Sequence, residues 1–213
     1  MSTIKYLYGK KSILGPLVEG TGGIRLCDIR HYGRLENEKI RDLEERKQYE
    51  YEPGKIVLTI NGHEIKAEEF ASNIKLDLPA RLCYCICFSN KKDAPENYDK
   101  FNADICIEFD IDKLVEFLEF VFTPSQGCSI VNKSVTHYDT NPLPNQTDPE
   151  SSAFMKPAVF RDEDEYRVAV FFPFDEKTDL NHRGKMYECY KNASAVPKIY
   201  PNVNVTSCSS TTA

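Results

Sequence analysis

Residues 159–172, VFRDEDEYRVAVFF, constrain the fold more than any other stretch of this chain. The second half, Val168-Ala169-Val170-Phe171-Phe172, is a short run of β-branched and aromatic residues, the pattern of a strand buried on both faces. The first half is the opposite, with five of the six residues from Arg161 to Tyr166 charged. If the strand continues back through them, Glu163, Glu165 and Arg167 share one face, and Asp164 and Tyr166 the other. Two carboxylates and a guanidinium leading into a dry core need a partner or a ligand, because an uncompensated buried charge is costly. The alternative is a solvated strand end whose charges face water.

Other elements follow from local patterns. Residues 4–8 read as a first strand, and residues 11–19 as a short helix with Ile13, Leu14, Leu17 and Val18 inward and its start near Pro16. Residues 24–29 alternate as a strand that carries Arg25, placed either at an edge or toward an anion. Residues 32–52 are highly charged, with only Leu35, Ile40 and Leu43 aliphatic, which predicts a surface helix or flap. Asn61-Gly62 within residues 55–66 predicts a type I′ hairpin. Residues 82–89, LCYCICFS, form a continuous apolar run of strand length, central in the sheet and ending at Ser89-Asn90. Residues 104–109 give another strand. Asp110 or Asp112 then caps a helix to about residue 122, with Leu114, Val115, Leu118 and Val121 inward. Four prolines within residues 140–157 predict a long loop that leads to the Glu163/Glu165 strand. Residues 1–192 are expected to form one domain, and residues 193–213 a polar, poorly ordered tail.

Composition bounds the function. At 41% hydrophobic and 11% aromatic the chain is globular, and a net charge of −6 gives no global attraction to nucleic acid or an anionic membrane. No run approaches the roughly 20 apolar residues that a spanning helix needs. The eight cysteines lack Cys-x-x-Cys spacing and the four histidines do not cluster, so buried reduced thiols are expected and no metal site. These features together predict an intracellular, cytoplasmic protein without membrane association.

Four segments in order carry a resemblance. They are Gly33-Arg34-Leu35-Glu36 with Ile40-Arg41-Asp42-Leu43-Glu44, then Cys87-Phe88-Ser89-Asn90, Ile105-Cys106-Ile107-Glu108-Phe109-Asp110, and Asp164-Glu165-Tyr166-Arg167. The set resembles a family of bacterial and phage proteins similar to ADP-ribosyltransferases, including toxins of phage defence. The resemblance implies an α+β fold, a mixed split β-sheet core with flanking helices, that binds NAD between two short sheets. It also implies a nucleic-acid or protein acceptor, and an antitoxin or other protein partner. Glu165 would stabilise positive charge developing on the ribose, and Glu163 would orient or deprotonate the acceptor. Arg25 would grip the pyrophosphate, with Arg30 and Arg34 as alternatives. Ser89 would set the carboxylate's position, Tyr32 or Tyr6 would stack on the nicotinamide, and His31 could reach a ribose. Two other readings stand beside this one. One is a catalytically silent domain of the same fold that binds a protein, and the other a nuclease in which Asp110, Asp112, Glu163 and Glu165 hold Mg²⁺.

Overall fold

The computed structural model describes residues 2–30, 46–54, 57–66, 69, 72–81, 83–126, 128–139, 149–171, 198–199 and 205–210. In chain order it holds β1 (Ile4–Gly9), α1 (Lys11–Val18), β2 (Ile24–Arg25), β3 (Cys27–Asp28), β4 (Arg46–Tyr51), β5 (Leu58–Ile60), β6 (His63–Ile65) and β7 (Ile74–Pro79). Then come β8 (Tyr84–Ser89), α2 (Pro95–Lys100), β9 (Ile105–Asp110), α3 (Ile111–Gln126), β10 (Ser129–Ser134) and β11 (Thr136–Tyr138). After α4 (Pro149–Ser152) and β12 (Met155–Pro157), a 3-10 helix at Ala158–Glu163 leads into β13 (Glu165–Phe171). Two further strands are β14 (Lys198–Ile199) and β15 (Val205–Ser210).

The fold is α+β. Its main sheet runs β10-β13-β8-β1-β9-β15, with β3 also on β8. Every pairing in that sheet is antiparallel, which corrects the expected mixed sheet; among the described residues the one parallel pair is β11 with β12. The reason lies in the order: β1 sits between β8 and β9, so α2 does not connect parallel neighbours. The sheet is also nearly divided. β1 runs along the whole of β9, yet it meets β8 at a single pair, Tyr6 opposite Ser89. The earlier part of that edge of β8 is taken by β3, through Cys27 opposite Cys85 and Asp28 opposite Tyr84.

Strands β8 and β13 are buried on both faces, as their composition predicts. Ile86, Phe88, Val168 and Val170 join the core beneath α1 and α3, while Cys85, Ala169 and Phe171 face a smaller cluster with Ile29 and Phe154. Leu114, Leu118 and Phe122 form the inner stripe of α3, each contributing roughly 1.5–3 kcal/mol by burial. Their spacing of four leaves Val121 half-exposed, contrary to expectation. Helix α1 begins at Lys11 with Pro16 inside it, and only Leu14 and Leu17 are buried, leaving Ile13 exposed. Asn61 and Gly62 adopt φ of 52° and 81°, the turn that their identities predict.

Several expectations need correction. Residues 31–45 lie outside the described ones, but Arg46–Tyr51 is a strand and not part of a helix, because Tyr49 and Tyr51 alternate into a stacked, buried pair. The proline-rich loop contains α4 and β12 at its end, while residues 140–148 are outside the described ones. The polar tail contributes β15, whose Val-Thr-Ser sequence suits the otherwise open edge of β9, and β14, which pairs with β2. No described helix is long and apolar enough to cross a membrane.

Candidate active site

The strand does not continue back through the charged segment. It begins at Glu165, and Glu163 closes the 3-10 helix. Asp164 between them is left-handed, φ 44° and ψ 54°, a conformation that aspartate tolerates better than most residues. The end of β8 holds this reversal in place. Asn90 donates its backbone N–H and its side-chain amide to the Asp164 carbonyl, at 2.8 and 3.0 Å. Ser89 Oγ donates to the Glu163 carbonyl at 2.9 Å and accepts from Asn97 Nδ2 and the Lys91 N–H, each at 3.1 Å.

Because the chain reverses at Asp164, both carboxylates turn toward one ammonium. Lys156 Nζ lies 2.7 Å from Glu163 Oε2 and 3.0 Å from Glu165 Oε2. Arg167, fully buried, donates Nε and Nη2 to Glu165 Oε1 at 2.8 and 2.6 Å and Nη1 to the Ala153 carbonyl. Lys100 Nζ stands 3.0 Å from Glu163 Oε1, off the hydrogen-bonding direction, so the contact is an ion pair without a hydrogen bond. Lys156, Glu163 and Glu165 are all at most 5% exposed. Desolvating each ion costs several kcal/mol, which this close-set cluster of cations and carboxylates must offset.

Lys156, Glu163 and Glu165 line a cavity of about 140 Å³ together with residues of β1 and β8, near the single pair that joins those strands. Tyr6, Tyr8, Phe88 and Phe101 form the aromatic wall, and Ser89, Lys156, Glu163 and Glu165 the polar floor. That volume matches a single six-membered ring and is below what a larger ligand needs. Tyr8 is fixed by donating to the Lys91 carbonyl at 2.6 Å and accepting from the Ala94 N–H at 2.9 Å, with its ring edge-on to Tyr98. Burial raises its phenol above the usual range. Cys87 also lines the cavity, but burial, the Cys85 thiol and the Glu165 charge hold its thiol well above the usual range, which makes it a poor nucleophile.

Tyr6, Ser89, Glu163 and Glu165 therefore meet in one cleft. Arg25 does not join them. It is exposed on β2, opposite Lys198 of β14, and does not line the cavity. Arg30 is buried and gripped by Asp28 through Nε and Nη2. Tyr32, His31 and Arg34 lie outside the described residues. The proposed Mg²⁺ set is not assembled either: Asp110 Oδ1 accepts from the Lys113 N–H and Asp112 Oδ2 from the Thr3 N–H. Among the described residues no group of three metal-ligating side chains exists. Lys156, Lys100 and Asn97 were not foreseen. Lys156 falls within the proline-rich segment, where no periodicity assigns a face. No family model, no curated protein and no solved structure matches this chain.

Proposed function

We propose that the chain is an NAD-dependent ADP-ribosyltransferase-like enzyme that cleaves the nicotinamide–ribose bond and passes ADP-ribose to a nucleic-acid or protein acceptor, in the manner of an intracellular toxin or phage-defence effector. The observation that carries this reading is the convergence of Glu163 and Glu165 on the floor of a ring-sized cavity at the division of the sheet, beside Tyr6. NAD supplies an activated glycosidic bond whose cleavage develops positive charge on the ribose. A carboxylate fixed at the start of a buried strand stabilises such charge without reorganising, which is the role of Glu165. Glu163, nearer Lys100, orients the acceptor, and Tyr6 supplies an aromatic wall for the ring. The cavity accommodates one ring and not the dinucleotide, so the phosphates would lie outside it, and Arg25 is not among its lining residues.

A second reading, a catalytically silent domain that binds a protein partner, is favoured by one observation: both carboxylates already hold Lys156. Incubation with NAD labelled in its adenylate half, beside nucleic-acid and protein pools, separates the two. Label transferred to one pool by the wild type and not by Glu165→Gln supports the transferase. A stable complex with a protein, without label and unaffected by Glu165→Gln, supports the silent domain.

A further inference from the structure

The cleft contains a cation that neither strand motif announces. Lys156 leaves β12, enters the cavity floor and is 4% exposed, yet its ammonium contacts both carboxylates at 2.7 and 3.0 Å. Its flank is the Phe160 ring, 4.7 Å from Nζ, which excludes water from one side. Arg167 holds the other oxygen of Glu165, so Glu165 is fixed from two directions, whereas Glu163 is fixed by Lys156 and faced by Lys100. Removing Lys156 would leave two buried carboxylates side by side with no shared counter-charge, and they would repel or turn away. Stability alone does not account for this lysine, because buried ion pairs are often replaceable by apolar residues without loss.

We infer that Lys156 is a positioning residue: it locks the Glu163 and Glu165 carboxylates side by side at the cavity floor, in the geometry that the proposed transfer uses. The inference rests on the transferase reading for its catalytic consequence but not for its geometry. Lys156 acts through the two glutamates, so its loss affects turnover more than substrate affinity. A misplacement of about 1 Å in a catalytic group costs on the order of 100-fold in rate.

The test uses the full chain labelled with ¹⁵N-lysine and ¹³C-glutamate. Hydrogen-bond couplings from the Lys156 ammonium to the carboxyl carbons of both Glu163 and Glu165 are expected, and an ammonium coupled to neither overturns the inference. Lys156→Met is expected to shift both carboxyl resonances and to lower kcat for nicotinamide release about 100-fold at near-constant KM, with partial recovery in Lys156→Arg. A folded Lys156→Met with unchanged resonances and turnover also overturns it. If Lys156→Met does not fold, the wild-type couplings and Lys156→Arg still decide. Couplings in a wild type that releases no nicotinamide overturn the transferase reading while supporting the placement of the carboxylates by Lys156.

Discussion

Replacing Arg167 by methionine keeps most of the side chain's length but removes three buried donor contacts and a positive charge. Nε and Nη2 bind Glu165 Oε1 at 2.8 and 2.6 Å, Nη1 binds the Ala153 carbonyl, and the side chain is fully buried in the middle of the sheet. Glu165 would retain Lys156 on its other oxygen, so its charge would be half-compensated. Breaking a buried ion pair by deleting one partner costs about 3–5 kcal/mol, and the stranded Ala153 carbonyl is worth roughly 1–3 kcal/mol more if nothing replaces the donor. Typical domains have about 5–15 kcal/mol in total. Arg167→Met is therefore expected to bring the protein close to its unfolding threshold. Urea unfolding measures it, with Glu165→Gln and the double variant completing a cycle. A loss of at least about 3 kcal/mol is expected, with a coupling energy of about 1–3 kcal/mol between the two positions. A loss below about 1 kcal/mol, the scale of an exposed pair, with additive single effects, would refute the claim that this network is buried and mutually dependent.

Three further expectations follow from the same geometry. Asp110 caps α3, and hydrogen bonds from Ser2 and Lys113 hold its carboxyl below the usual range. Asp110→Ala is thus expected to lower stability by about 1 kcal/mol. Because the folded value lies below the unfolded one, this contribution is complete above pH about 4 and vanishes as the pH falls through the folded value. The variant and wild type should converge in acid unfolding curves. Tyr8→Phe removes the acceptor of the Ala94 N–H and should cost roughly 1–3 kcal/mol in thermal or urea unfolding; an unchanged midpoint would contradict that contact. Cys85 and Cys87 are held protonated, Cys85 chiefly by its Cys83 neighbour and Cys87 chiefly by burial. Both should resist alkylation at pH 8 in the native protein and react fully in urea, which peptide mass mapping can follow.

Two of the strands that contribute to the cleft were legible because their composition admits little else. An unbroken apolar run of strand length must be covered on both faces, and β8 and β13 are. The carboxylate pair was legible as residues but not as geometry. Alternation along a strand placed Glu163 and Glu165 on one face, whereas they converge through a left-handed turn at Asp164 that β8 stabilises from outside. Such a turn is set by tertiary partners, and an aspartate alone does not announce it. Lys156 was illegible for a similar reason: its partners sit seven and nine residues away, across a 3-10 helix with no amphipathic period. Arg25 was legible only as two alternatives, an edge position or an anion ligand; it is exposed on β2, which pairs with β14, a strand from a distant segment whose polar composition reads as a tail. The division of the sheet, in which β3 takes the earlier part of one edge of β8 and β1 meets β8 only at Tyr6 opposite Ser89, is set by pairing between distant segments that no local pattern announces.

Nicotinamide release from NAD by the purified full chain, beside Glu165→Gln and with cell extract as the acceptor pool, tests the central claim most directly. Release by the wild type is expected, falling to background in a folded Glu165→Gln. Release unchanged in that variant, or absent from a folded wild type with a broad acceptor pool present, would contradict it.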